Sequence, residues 1–268
     1  MRDRRLFWGI VVLMVGVLLL LNNLGVFEPL EINIGELIWP LLLIILGAWI
    51  LWTSVIAPPT YETEVLSIPL EAGVAMAEVH LHQGAGVFRV QSGTETDALL
   101  EGAFSGGMNH RIRREGDEVT LHLSTPPETI WMPWAPSVFR EWDIRLSEQI
   151  PLSLRMKTGA SDARLDLTEL QVAELSLETG ASSTEVRLPA HTDLTRVSVK
   201  GGVASVRLHV PAGVAARIRS DSGLVDFHVD QSRFPRTGDY YQSPDYDDSA
   251  HKIDLHIEMG VGSVKILG

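Results

Sequence analysis

Cysteine is absent from the 268 residues, which excludes disulfides, thiolate metal sites and cysteine nucleophiles. Basic residues are scarce: 22 Lys and Arg stand against 34 Asp and Glu, a formal net charge of −12. That balance argues against a nucleic-acid binder, whose footprint is a basic surface. No HExxH, Walker A or GxSxG pattern occurs, so the commonest metalloprotease, nucleotide and serine-hydrolase chemistries have no residues to carry them. Charge of either sign is missing from two long apolar runs, Phe7–Leu24 and Ile38–Ala57. At 1.5 Å rise per residue such runs reach roughly 27 and 30 Å as helices, the thickness of a bilayer core.

The flanks of these runs set an orientation. Arg2, Arg4 and Arg5 precede the first, whereas the connection from Gly25 to Leu37 holds Glu28, Glu31 and Glu36 and no Lys or Arg. Positive-inside reasoning then puts the N-terminus in the cytoplasm, and two crossings return the chain there. Trp8 and Trp52 fall near the inner interface and Trp39 near the outer one. A signal peptide is the competing reading of Met1 to Gly25. Against it, the run ends in Asn22-Asn23-Leu24-Gly25 rather than a small-residue cleavage site, and a second span follows at once.

Pro58-Pro59-Thr60 opens a stiff linker over 58–64, since paired prolines cannot continue a helix. Beyond it no sustained helical periodicity occurs. Short alternating stretches recur between glycines instead, which predicts strands. Gly84, Gly159, Gly180, Gly202, Gly223 and Gly260 mark an internal repeat with central spacings of 21, 22 and 21 residues. Five residues before each stand Val79, Leu154, Leu175, Val197, Ile218 and Leu255; six after stand Val90, Leu165, Val186, Leu208, Val229 and Ile266. The positions three before and four after are apolar too, except Ser220 and Thr184. Twenty-two of these twenty-four positions are apolar, where the overall 45% hydrophobic content predicts about eleven, so the pattern is not composition.

Each unit reads as two short strands with one buried face, joined at a glycine corner where a side chain would crowd the turn. Units of about 21 residues cannot bury that face alone and must stack, as a β-solenoid or a related two-sheet arrangement. An ordinary antiparallel sandwich is the alternative. The expected organisation is therefore a two-span hairpin over 1–57, the linker, and an all-β repeat domain over 65–268. Insertions fall at 92–150, with a hairpin around Glu115-Gly116-Asp117, and at 230–250; both have the composition of loops.

The first span closing in Leu21-Asn22-Asn23-Leu24-Gly25 and the second opening with Trp39-Pro40-Leu41-Leu42-Leu43-Ile44 resemble the LiaI/LiaF-type transmembrane region of bacterial envelope-stress proteins. The remainder resembles the toast-rack domain through Ile150-Pro151-Leu152, Thr158-Gly159-Ala160-Ser161, Thr179-Gly180-Ala181-Ser182 and Gly260-Val261-Gly262-Ser263-Val264. The resemblance implies a β stack on an inner-membrane anchor, in proteins that sense or scaffold at the envelope. It supplies no catalytic residues.

Three groups are candidates for interaction. Arg89, Arg164, Glu185, Arg207, His228 and Lys265 stand five residues after the glycines and form one outward column, with Glu185 between Arg164 and Arg207. That column reads as a solvated ladder or a stripe for an acidic partner or anionic lipid heads. Trp131, Met132, Trp134, Phe139 and Trp142 either cap an open end of the stack or contact a partner. His80, His82 and His256 are imidazoles that could meet across stacked strands, but no ligand spacing recurs, and the Asp245, Asp247, Asp248 cluster lacks the glycine and distal glutamate of a calcium loop. No metal, cofactor or catalysis is expected. The lipid bilayer is the partner expected first. A sensor histidine kinase, another membrane protein or a second copy of the chain follow, and the function expected is a non-enzymatic sensor or regulatory scaffold. A structural assembly module is the alternative.

Overall fold

A computed structural model of the chain describes residues 63–94, 97–126 and 140–268. The two apolar runs, the start of the linker and Trp131, Met132, Trp134 and Phe139 lie outside the described residues. Among the described residues no helix is long and apolar enough to cross a membrane. They form strands throughout: β1 (Thr63–Pro69), β2 (Met76–Ser92), β3 (Ala98–Ser105), β4 (Asn109–Glu115), β5 (Glu118–Ser124) and β6 (Glu141–Leu146) lead into the long strands. These are β7 (Leu152–Asp166), β8 (Val172–Arg187), β9 (Leu194–His209), β10 (Ala215–Val229) and, after the short β11 (Arg236–Thr237) and β12 (Tyr240–Gln242), β13 (Lys252–Leu267).

The long strands pair in parallel, and their connections are too short for straight strands. A 15-residue strand such as β7 extends about 50 Å, while the five residues from 167 to 171 reach about 17 Å. Each strand must therefore turn back on itself near its middle, so that its end lies beside the start of the next. Burial records the turn: in β7, Leu154, Met156 and Thr158 are buried before Gly159, and Ala163 and Leu165 after it. Alternation shifts phase across the glycine, and both halves keep their apolar side inward.

The corner is a column of backbone contacts. A Cβ placed on Gly159 would lie 2.5 Å from the carbonyl oxygen of Gly84, and one on Gly180 would lie 2.6 Å from that of Gly159. The series continues with Gly202 against Gly180 at 2.9 Å, Gly260 against Gly202 at 2.8 Å and Gly223 against Gly260 at 2.7 Å. Glycine is required here for close approach between stacked backbones rather than for a left-handed conformation. The outer turns stack in the same manner: Leu167 N–H donates to Arg187 O at 3.0 Å and Leu188 N–H to His209 O at 2.9 Å.

Strand order departs from chain order at the far end. The sheet runs β2-β7-β8-β9-β13-β10, so the last repeat lies between the fourth and fifth. The long segment 230–251 permits this, because it carries the chain around the edge and back through the β11–β12 hairpin. β10 is thereby an edge strand, touched on its outer side by β12 at Arg217 and Ile218. Ser220, which breaks the apolar pattern, belongs to this edge, where its position is half-buried. Thr184, the other exception, is buried at 3% exposure.

The stretch 92–150 corrects the sequence reading: it contains β3, β4, β5 and β6 rather than loop alone. Its polarity reflects its place at the margin, where the seven residues of β4 are exposed. The turn expected around Glu115-Gly116-Asp117 joins β4 to β5, with Gly116 at φ 67°. β5 and β6 both pair with β2 in parallel, one on each side of its corner, and β1–β3–β6 closes that end in antiparallel fashion. Trp142 on β6 is fully buried there, its ring 5.4 Å from Phe88 and 5.3 Å from Phe104 in edge-on contacts.

Candidate functional site

Side chains that alternate outward form rows across the stacked strands, and the register fixes each row. Five residues after the glycines the spatial order is Arg89, Arg164, Glu185, Arg207, Lys265, His228. Glu185 stands between Arg164 and Arg207, while Lys265 rather than His228 is the neighbour of Arg207 because β13 intervenes. Part of the row is compensated by neighbouring carboxylates. Glu185 meets Arg207 at 3.6 Å and His209 at 3.4 Å, Arg164 lies 4.0 Å from Asp162, and Arg89 is hydrogen-bonded to Glu141. That bond holds the Arg89 pKa above its ordinary value. Arg164 and Arg207 remain well exposed, so each pair contributes little to stability.

A second row alternates sign. Lys157, Glu178, Lys200 and Glu258 follow one another, with 3.0 Å contacts from Lys157 to Glu178 and from Lys200 to Glu258. Hydrogen bonds from Lys200 and then His256 hold the Glu258 carboxyl below the usual carboxylate range. Most of the outer face is thus a lattice of mutually neutralising charges.

Compensation fails at one end. Arg111 on β4 pairs in register with His122 on β5, His122 with His80 on β2, and His80 with Arg155 on β7, placing four basic side chains in one row. The His80 and His122 rings stack with centroids 4.3 Å apart. Burial first, then the neighbouring His80, Arg111 and Arg113, push the His122 pKa down against the opposing pull of Glu78. Glu78 serves the inner half of the row, 3.2 Å from His80 and 3.1 Å from Arg155. On the hairpin, Arg111 has no carboxylate at ion-pair distance among the described residues, and Arg113 reaches only Glu115 at 3.8 Å. Sequence reasoning passed over Arg111 and Arg113. The run His110-Arg111-Ile112-Arg113-Arg114, the densest basic stretch of an acidic chain, was the available signal.

Other sequence candidates separate. His256 lies on β13, four strands from His80 on β2, so the three imidazoles considered together do not meet. Among the described residues no group of three His, Asp or Glu side chains is placed to hold a metal ion. Trp142 leaves the aromatic contact group, because packing between Phe88 and Phe104 buries it completely. Beside the Asp245, Asp247, Asp248 cluster, Tyr246 is buried with the Arg217 guanidinium 4.2 Å above its ring, and Arg217 meets Asp247 at 3.5 Å. Gly84-Ala85-Gly86 and Gly260-Val261-Gly262 lie inside β2 and β13. A Cβ on Gly262, at φ 142°, would lie 1.8 Å from the Ala204 carbonyl oxygen, so this glycine serves the corner.

With the stack and its glycine column in place, comparison with known families is decisive: the model described as the N-terminal domain of toast_rack, DUF2154, matches residues 58–209. The chain belongs to the toast-rack family. Ahead of the toast-rack domain, residues 6–51 match the LiaI-LiaF-like transmembrane region, which makes this a membrane-associated protein. None of the curated proteins matches the chain. Among solved structures, the toast-rack fold is similar to that of a candidate cell adhesion protein from Clostridium sporogenes ATCC 15579. The two share 20% identity and a TM-score of 0.71, over 77% of this chain and 99% of that one. A candidate adhesin from Bacteroides fragilis NCTC 9343 aligns over 78% of this chain and 99% of its own, at 9% identity and a TM-score of 0.28.

Proposed function

We propose that this toast-rack protein is a non-enzymatic, multi-pass sensor or regulatory scaffold of the bacterial inner membrane, acting in envelope-stress signalling with its β domain in the cytoplasm. The observation that carries the reading is the union in one chain of a LiaI-LiaF-like transmembrane region at 6–51 with a toast-rack domain starting within a few residues of it. A stacked β domain that follows a transmembrane region so closely along the chain is suited to binding a neighbouring membrane protein, and a sensor histidine kinase is the partner proposed. The charged side chains of the outer rows neutralise one another, an arrangement that suits a binding scaffold better than a reactive centre.

Topology is tested by fusing reporters after Gly268: fluorescence of a cytoplasm-restricted reporter is the expected result, and periplasmic phosphatase activity there overturns the orientation. Signalling is tested by deleting the chain and reading kinase-dependent transcription under envelope stress, where an unchanged response removes the regulatory reading.

A second reading, a structural or adhesive assembly module, is favoured by one specific feature. Val203, Val261 and Leu224 are register neighbours on β9, β13 and β10 and form an apolar ridge at the open end, exposed at 62%, 47% and 82%. The similar fold of the candidate cell adhesion protein is compatible with it. Loss of self-association on Leu224→Glu would support this reading, and a monomer at all concentrations would remove it.

A further inference from the structure

We infer that the cleft between the β4–β5 hairpin and the outer face of β2 and β7 binds the phosphoryl group of an anionic phospholipid headgroup. The cleft has a volume of about 900 Å³, which exceeds what a bare ion needs and suits a headgroup-sized polar ligand. Its basic groups come from four strands: Arg111 and Arg113 on β4, His122 on β5, His80 and His82 on β2, and Arg155 on β7. Asn109 and Ser124, register partners at its rim, add neutral hydrogen-bonding groups.

Charge inside the cleft is asymmetric. Glu78 and Glu174 attend Arg155 at 3.1 and 3.7 Å, and Glu178 attends Lys157 at 3.0 Å, so the β7 side is neutralised. The hairpin side is not. Arg111, the register neighbour of His122, has no carboxylate at ion-pair distance among the described residues, and Arg113 has Glu115 at 3.8 Å. In a chain of net charge −12, an anion here meets a row of four basic side chains and relieves repulsion rather than adding to it. Guanidinium forks match phosphate oxygens geometrically, and imidazole N–H groups add donors.

The chain itself points to lipid as the source. Eleven residues separate the transmembrane region ending at 51 from Thr63, a tether of at most about 40 Å, so headgroups are always within reach of the domain. Binding is also coupled to protons. An anion in the cleft raises the pKa of His122 by opposing His80, Arg111 and Arg113, and adds to the influence of Glu78.

The test uses the full chain in nanodiscs, with sn-glycerol 3-phosphate as the soluble probe and the His80 and His122 imidazole resonances as the readout. In phosphatidylcholine discs the probe is expected to shift both resonances saturably. Arg111→Gln should weaken the response by about tenfold or more, and Arg111→Lys should restore part of it. In discs rich in phosphatidylglycerol the same resonances should already be displaced, and the soluble probe should add nothing because the site is filled. A saturable response of equal size in both discs would overturn the lipid assignment in favour of a free phosphate ester. The absence of any saturable response in phosphatidylcholine discs, with no difference on changing the lipid, would overturn the site altogether. This inference does not depend on the signalling role, since either result stands whether or not a kinase partner exists.

Discussion

Adding one methyl group at the glycine column separates close approach from ordinary turn flexibility. Gly180→Ala places a Cβ 2.6 Å from the Gly159 carbonyl oxygen, whereas Gly84→Ala, at the head of the column, meets nothing within 4 Å. Neither backbone is left-handed, so the two substitutions differ in space alone. The obstructing atom at Gly180 belongs to β7, a strand held by parallel ladders on both sides, to β2 from Leu152 to Leu165 and to β8 from Leu152 to Asp166. It cannot swing aside as a side chain would. Overpacking costs typically about 1–3 kcal/mol, and the entropy lost by the unfolded chain returns about 0.4–1 kcal/mol. Gly180→Ala is therefore expected to destabilise by about 1–2 kcal/mol, and Gly84→Ala to be neutral or to stabilise by up to about 1 kcal/mol. For a domain of this size the gap between the two variants corresponds to roughly 2–12 °C in melting temperature. Thermal unfolding of the full chain in neutral detergent, followed by the β-sheet circular dichroism band, measures it. Equal shifts for both variants, or a larger loss at Gly84, would refute the stacking contact as the reason for glycine.

Leu177, 1% exposed on the inner face of β8, and its outward neighbour Glu178 provide a second comparison. Leu177→Asp buries an unpaired carboxylate and should cost several kcal/mol, while Glu178→Lys should cost less than about 1 kcal/mol, as read from the same melts. Asp166 gives a pH dependence: burial pushes its pKa up, but hydrogen bonds from Thr168, with Oγ1 at 2.7 Å, and from Arg187 at 3.0 Å hold it below the ordinary value of 3.8. Its contribution to stability is therefore complete above about pH 4 and lost as pH falls through the lower folded value. Asp166→Asn should lower the melting temperature at pH 7 and converge with wild type in acid; a constant difference at every pH would contradict this.

The stack was legible because close backbone approach and inward packing leave marks at fixed distances along the chain. Gly159, Gly180 and Gly202 align with apolar residues on both sides, and Ser220 even marked the strand that lies at the edge. Strand order was not legible. Parallel neighbours are chosen by the length and path of the connection, and nothing local to Lys252–Leu267 says that it enters between β9 and β10. The segment 92–150 was misread for a related reason: edge strands such as Asn109–Glu115 are polar on both faces and share the composition of loops. The basic row was invisible because Arg111, His122, His80 and Arg155 become neighbours only through three separate strand pairings. Trp142 falls to the capping side of the two roles offered for its aromatic group, because it packs against Phe88 and Phe104 where β1, β3 and β6 close one end of the stack.

The intercalation of β13 sets a condition on biogenesis. A linear array can add or lose terminal repeats one at a time, because each unit leans on the one made before it. Here β9 and β10 leave the ribosome without each other as neighbours, and the strand that joins them is synthesised later. Until Lys252–Leu267 emerges, β9 presents an unpaired edge and the β10 segment has no parallel partner, so the nascent domain is open to mispairing one strand inside its final edge. A nonsense codon shortly before Lys252 would thus remove a keystone, not a final course of bricks.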